Sequence, residues 1–178
     1  MRKRMDRYIH DALALFAKWY VHEQPDWLGK ERDCVNIFAT RFLAAGIGLG
    51  AAIQNAGQIR IECAVKQPSD RSKFRKPSAT KDLVIWDDPL KTTWDEMWNP
   101  SHEPRAIVEW KTSRSGLASV DFDVHDVEWL TEFTREHPMT FGFLVSTHAT
   151  KSHRQCMWAM VRGGIVGKRH TLPRITRS

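Results

Sequence analysis

The chain is poor in cysteine: Cys34, Cys63 and Cys156 are odd in number, far apart and without a CxxC spacing. That excludes a disulfide framework and points to a reduced compartment. Long apolar runs are also missing. The longest, from Phe42 to Ile53, is too short and too rich in glycine to span a bilayer. After Met1-Arg2-Lys3-Arg4, the residues Asp6, His10 and Asp11 interrupt what would be the apolar stretch of a signal peptide. The expectation is a soluble, cytoplasmic protein with no membrane partner. No repeat, low-complexity tract or linker divides the 178 residues, a length that fits one domain with one core. A Gly-x-Ser-x-Gly elbow is absent, so no serine-hydrolase arrangement can be built. His148, His153 and Cys156 lack a fourth ligand at a sensible spacing and read as scattered surface residues, not a zinc site.

Acidic charge is in deficit. Lys and Arg number 27 against 21 Asp and Glu, giving a net charge of +6. A sequence pI near 9.4 favours a polyanionic partner, nucleic acid ahead of membrane.

Apolar periodicity then sets out the elements. Ile9, Leu13, Phe16 and Tyr20 recur at helical spacing and predict a helix over residues 5–22. A second helix starts near Lys30, with Glu31 and Asp33 in its first turn where the helix dipole favours them. It runs to Gly46-x-Gly48-x-Gly50, which follows a helix and so reads as a helix end, not a phosphate loop. Alternating Ile59, Ile61, Cys63 and Val65 predict a half-buried strand, with Glu62 facing solvent. Two further strands are Lys81-Asp82-Leu83-Val84-Ile85-Trp86 and Ala106-Ile107-Val108-Glu109-Trp110-Lys111. Between them, residues 87–104 form an insertion rich in Pro and Trp. A helix over 124–136, a buried strand over 140–147 and a short strand over 157–161 complete the chain. Such an order predicts an α/β domain around a mixed sheet.

Charge inside those two apolar strands is the informative feature. Strand side chains alternate, so Glu109 and Lys111 share a face, Trp110 takes the other, and Asp82 shares its face with Val84 and Trp86. Carboxylates and a lysine at a buried sheet edge are costly unless they pair or bind metal. With 21 acidic residues and 11 lysines, an acidic-x-Lys triplet is expected about once by chance, and Glu109-x-Lys111 is the single instance. Its context says more than its spacing: it ends an apolar strand, follows a strand bearing Asp82 and precedes a helix. The chemistry is that of phosphodiester hydrolysis. Asp82 and Glu109 supply hard oxygen ligands for Mg²⁺, the metal acidifies a bound water, and Lys111 orients that water or neutralises developing charge. The plain alternative is a salt bridge between strands.

Asp82…Glu109-x-Lys111, in the order helix–strand–strand–strand–helix–strand, resembles the PD-(D/E)XK nuclease superfamily over roughly residues 30–147. The resemblance implies a restriction-endonuclease-like three-layer core, a central mixed β-sheet flanked by α-helices. It also implies Mg²⁺-dependent DNA cleavage, with Mn²⁺ able to substitute, leaving a 5′-phosphate. Many members carry a metal-binding glutamate on the preceding helix, which matches Glu31. Lys81 stands where the family's proline precedes the aspartate, and the insertion lengthens the gap between the motif halves. A homodimer and an RNA substrate stay open.

The remaining candidates concern nucleic acid. The basic residues Arg71, Lys73, Arg75, Lys76 and Lys81 lead into the Asp82 strand and are placed to contact phosphates. Thr112, Ser113 and Arg114 follow the motif and can hold the backbone or scissile phosphate. Trp94 and Trp98 in the insertion are candidates for a stacking or partner contact, whereas Trp19, Trp27, Trp110, Trp129 and Trp158 fit packing roles. Asp126 reads as decoration on the helix after the motif. The competing function is a non-catalytic nucleic-acid-binding or assembly subunit with a nuclease-like fold.

Overall fold

The computed structural model describes residues 4–24, 26–68, 76–99, 101–113, 121–150 and 153–173. Helix α1 (Met5–Lys18) opens with Asp6 and closes with Lys18, both favoured by the helix dipole. It continues as a π-helical stretch, Trp19–Glu23. Helix α2 (Glu31–Ile37) continues likewise through Phe38–Leu43 to a single 3₁₀ turn, Ala44–Gly46, so the glycines mark a helix end. Helix α3 (Val124–Glu136) begins at Asp123, whose carboxylate accepts the His125 amide.

Among the described residues, seven strands follow in chain order: β1 (Ile59–Lys66), β2 (Ser78–Ile85), β3 (Ala106–Ser113), β4 (Phe141–Ala149), β5 (Arg154–Arg162), β6 (Ile165–Val166) and β7 (His170–Pro173). They form one mixed sheet in the order β1-β2-β3-β4-β5-β6, with β7 also on β5. All pairs are antiparallel except β3–β4, whose crossover carries α3. A parallel pair is buried on both faces, which explains why the β4 side chains are buried throughout.

Two apolar layers hold the sheet. On one face Leu83, Ile85, Val108 and Trp110 pack with Ile9, Leu13 and Phe16 of α1 and Val35 of α2. On the other, Val84, Ile107 and Leu144 pack with Trp129, Leu130 and Phe133 of α3. Trp19, Trp110, Trp129 and Trp158 are buried in these layers, as their sequence context predicts.

Side-chain alternation slips on two neighbouring strands. Ile59 and Ile61 of β1 face the α1 side, but Cys63 and Val65 face α3. On β2, Leu83 and Ile85 face the α1 side, yet Ala79 packs on the α3 side and Lys81 lies over the Trp129 ring. The β1–β2 register passes over Glu62 and Asp82, and Glu62 has φ of 52°, uncommon for a non-glycine residue. The effect is a local break in the ladder, with no residue inserted on either strand, across which the side chains change face.

Candidate active site

The β2–β3 ladder holds only at Leu83–Ile85 against Ala106–Val108, while β3 stays paired with β4 through Ser113. Beyond Val108, therefore, the β2-facing edge of β3 has lost its strand partner. Carboxylates take over its amides. The Trp110 N–H donates to Asp82 Oδ2 at 2.7 Å, and the Thr112 N–H donates to Glu31 Oε2 at 3.1 Å. Asp82 in turn donates its own N–H to Glu109 Oε2 at 3.4 Å. Buried backbone donors require partners, and here acidic side chains from α2 and β2 provide them.

Glu109 is 4% exposed and Lys81 5%. They form a buried ion pair, with the Lys81 ammonium 3.6 Å from the Trp129 ring centroid. Lys81 was expected among the phosphate-contacting basic residues. The break in the β1–β2 ladder turns it inward instead, making it a structural partner of Glu109. Burial pushes the Glu109 carboxyl up to about 7, with Lys81 opposing and the charges of Asp126 and Asp82 adding. Asp82 is raised as well, chiefly by burial. The Trp110 amide pulls it back down, Glu31 pushes it up, and Lys81 and Lys111 lower it. Lys111 itself is exposed and acts on both Asp82 and Asp126.

The structure thus brings together Glu31, Asp82, Glu109 and Lys111 from α2, β2 and β3. It adds Lys81, expected from the sequence as a phosphate contact, and Asp126, which was not chosen from the sequence. Asp126 is half-buried, and its carboxyl is raised by burial, lowered by Lys81 and raised by Asp123 and Asp82. It lines a cleft of about 740 Å³ with Lys81, His125 and Trp129. Its only sequence signal was a place two residues into the helix that follows the motif.

The other candidates are more dispersed. Ser113 ends β3, with its hydroxyl 2.7 Å from His148 Nδ1. Lys76 is exposed just before β2. Arg71, Lys73, Arg75 and Arg114 lie outside the described residues. In the insertion, the Thr93 hydroxyl donates to the Ala64 carbonyl of β1, Trp94 is half-buried, and Trp98 is 79% exposed. Glu62 is exposed as expected and pairs with Arg32. His148 and Cys156 are buried, not surface residues. Cys156 belongs to the α1-side layer and alternates with its neighbours, so it shares no ligand set with His148 on the other face.

Among the described residues no group of three or more His, Cys, Asp or Glu is placed to hold a metal ion, and no helix is long and apolar enough to cross a membrane. No protein-family model, curated protein or solved structure matches the chain.

Proposed function

We propose that this chain is a Mg²⁺-dependent deoxyribonuclease of restriction-endonuclease-like fold that hydrolyses DNA phosphodiester bonds at Asp82, Glu109 and Lys111. The observation that carries this reading is the convergence of Glu31, Asp82 and Glu109 on the unpaired edge of β3, with the exposed Lys111 beside them. Three acidic side chains from three elements are costly to gather at a half-buried strand edge for packing alone. The element order, the parallel β3–β4 pair joined through α3, and helices on both faces support the fold assignment.

The donors fit a hard dication in kind, since all three are carboxylate oxygens. They are currently committed elsewhere: Asp82 and Glu31 to backbone amides, Glu109 to Lys81. Asp82 and Glu109, with Glu31 in support, would hold the ion. When bound, Mg²⁺ or Mn²⁺ supplies the positive charge that acidifies a water and offsets the phosphate. Lys111, at the solvent side, donates a hydrogen bond to the attacking water or to a phosphate oxygen. Lys81 keeps Glu109 aimed and its charge balanced, and the Trp110 amide fixes the Asp82 carboxylate.

One observation favours a second reading, a nucleic-acid-binding subunit without catalysis: a cation, the Lys81 ammonium, already sits on Glu109. Calorimetric titration with Mn²⁺ separates the two. A nuclease binds the ion saturably and loses it in Asp82→Asn and Glu109→Gln. A binding subunit shows no binding that depends on these residues.

A further inference from the structure

A second cleft lies on the α1 side of the sheet, between the first turns of α1 and the β5–β7 edge. Its volume is about 420 Å³, within the range of small-molecule sites. Phe143 and Met160 provide an apolar floor, while Arg4, Arg7, His10, Lys168 and His170 supply the rim.

The two histidine rings meet edge to face, at an interplanar angle of 79°. His10 Nε2 and His170 Nε2 are 3.4 Å apart, with ring centroids at 4.6 Å. His170 is fixed by its strand pairing with Trp158, on whose ring it stacks at 5.4 Å. Asp6 also lines the cleft, but its charge is taken up by two arginines. Asp6 is paired with Arg4 at 2.6 Å and with Arg162 at 3.3 Å. Asp11 lies 3.7 Å from His10 Nδ1, the ring nitrogen opposite the one facing His170. Around the histidine pair the uncompensated charge is therefore positive, from Arg7 and Lys168.

We propose that this cleft binds a phosphomonoester carried on an apolar or aromatic body, such as a nucleoside 5′-monophosphate. The phosphoryl oxygens accept hydrogen bonds from Arg7, Lys168 and the His10–His170 pair, and the body rests on Phe143 and Met160. A dianion suits this rim because it takes several N–H donors together and satisfies facing cations. It also gives the two imidazoles a shared acceptor in place of each other. A cation would have to enter beside Arg7 and Lys168, against their charge. Burial, His10 and Lys168 all lower the protonation of His170, and a bound dianion reverses the electrostatic part. Binding therefore draws in a proton and tightens as pH falls.

The test is calorimetric titration of the whole chain with inorganic phosphate and with thymidine 5′-monophosphate, at about pH 7 and about pH 8.5, where the nucleotide's phosphate is largely the dianion. Variants are Arg7→Ala/Lys168→Ala, His170→Gln and, for the separate carboxylate site, Lys111→Ala. Saturable binding, tighter for the nucleotide than for phosphate and tighter at the lower pH, is expected. The Arg7→Ala/Lys168→Ala pair, at rim positions remote from the core, weakens it at least about tenfold, His170→Gln abolishes its pH dependence, and Lys111→Ala leaves it unchanged. The proposal is overturned by no saturable binding, or by equal affinity in the Arg7→Ala/Lys168→Ala variant. Zn²⁺ binding lost in His170→Gln, without phosphate binding, also overturns it and makes the pair a metal site. Capture of unphosphorylated DNA through Arg7 and Lys168 without nucleotide binding overturns it in favour of a backbone contact.

Discussion

Asp82 Oδ2 lies 2.7 Å from the backbone nitrogen of Trp110, two residues past the last β3 residue paired with β2. A side chain thus does there what a strand carbonyl does elsewhere along β3. The position serves structure and chemistry together, and the two roles can be separated by substitution.

Asp82→Asn retains an oxygen that can accept the Trp110 N–H but lacks the charge a dication needs. Its thermal stability is expected to stay within about 1 kcal/mol of wild type, with cleavage reduced at least about a hundredfold. Asp82→Ala, which leaves the buried amide without an acceptor, is expected to cost about 1–3 kcal/mol in urea unfolding as well. Cleavage by Asp82→Asn at the wild-type rate would contradict its metal role.

The two lysines are expected to differ sharply. Lys111 is exposed, so Lys111→Ala should change stability by less than about 0.5 kcal/mol while abolishing cleavage. Lys81→Met leaves Glu109 buried without its counter-ion and should destabilise by about 3–5 kcal/mol. Adding Glu109→Leu to Lys81→Met should recover most of that loss, since a buried pair replaced by apolar groups is commonly neutral. Urea titration of the three variants checks this, and a Lys81→Met protein as stable as wild type would show that the pair does little.

Metal binding should depend on pH through Glu109. Its carboxyl titrates at about 7, raised by burial above the ordinary value. Above that pH Glu109 is ionised and available to a cation; below it the group takes up a proton. Mn²⁺ affinity is thus expected to fall by roughly tenfold per pH unit below about 7 and to level off above it. The sign for stability is opposite: a carboxyl raised on folding stabilises the metal-free protein as pH falls toward the ordinary glutamate range, and that contribution is lost as pH rises through about 7. Affinity that is flat between about pH 5 and 8 would place the coordinating charge elsewhere.

Much of this arrangement was legible in the sequence wherever one pattern dominated. The apolar spacing of Val127, Leu130 and Phe133 gives α3 over 124–136, as observed. Charge in two apolar strands marks Asp82, Glu109 and Lys111, which the fold brings together. The strand expected over 157–161 runs from Arg154 to Arg162. Its first residue is hidden from sequence reasoning because a buried arginine looks like a surface one. Arg154 is fully buried and donates to the carbonyls of Tyr20, Gln24 and Trp27. Strands β6 and β7, of two and four residues, are too short for a periodic signal.

Lys81 shows most clearly where local reading ends. Strict alternation from Val84 puts it on the α1 side, away from Glu109. The slip at Glu62 and Asp82 arises from pairing between two strands, with a left-handed backbone at Glu62 that no local motif announces. Asp126 is similar: an acidic residue in a helix's first turn has an ordinary explanation, and only the packing of α3 over Lys81 brings it to the site.

The most direct measurement is cleavage of supercoiled plasmid, linear duplex and single-stranded DNA with Mg²⁺, Mn²⁺ or EDTA, comparing wild type with Lys111→Ala. Metal-dependent cutting by the wild type, abolished by EDTA and by Lys111→Ala, is the predicted result. DNA bound but left uncut with either metal, by a protein whose fold is intact, would contradict the nuclease assignment.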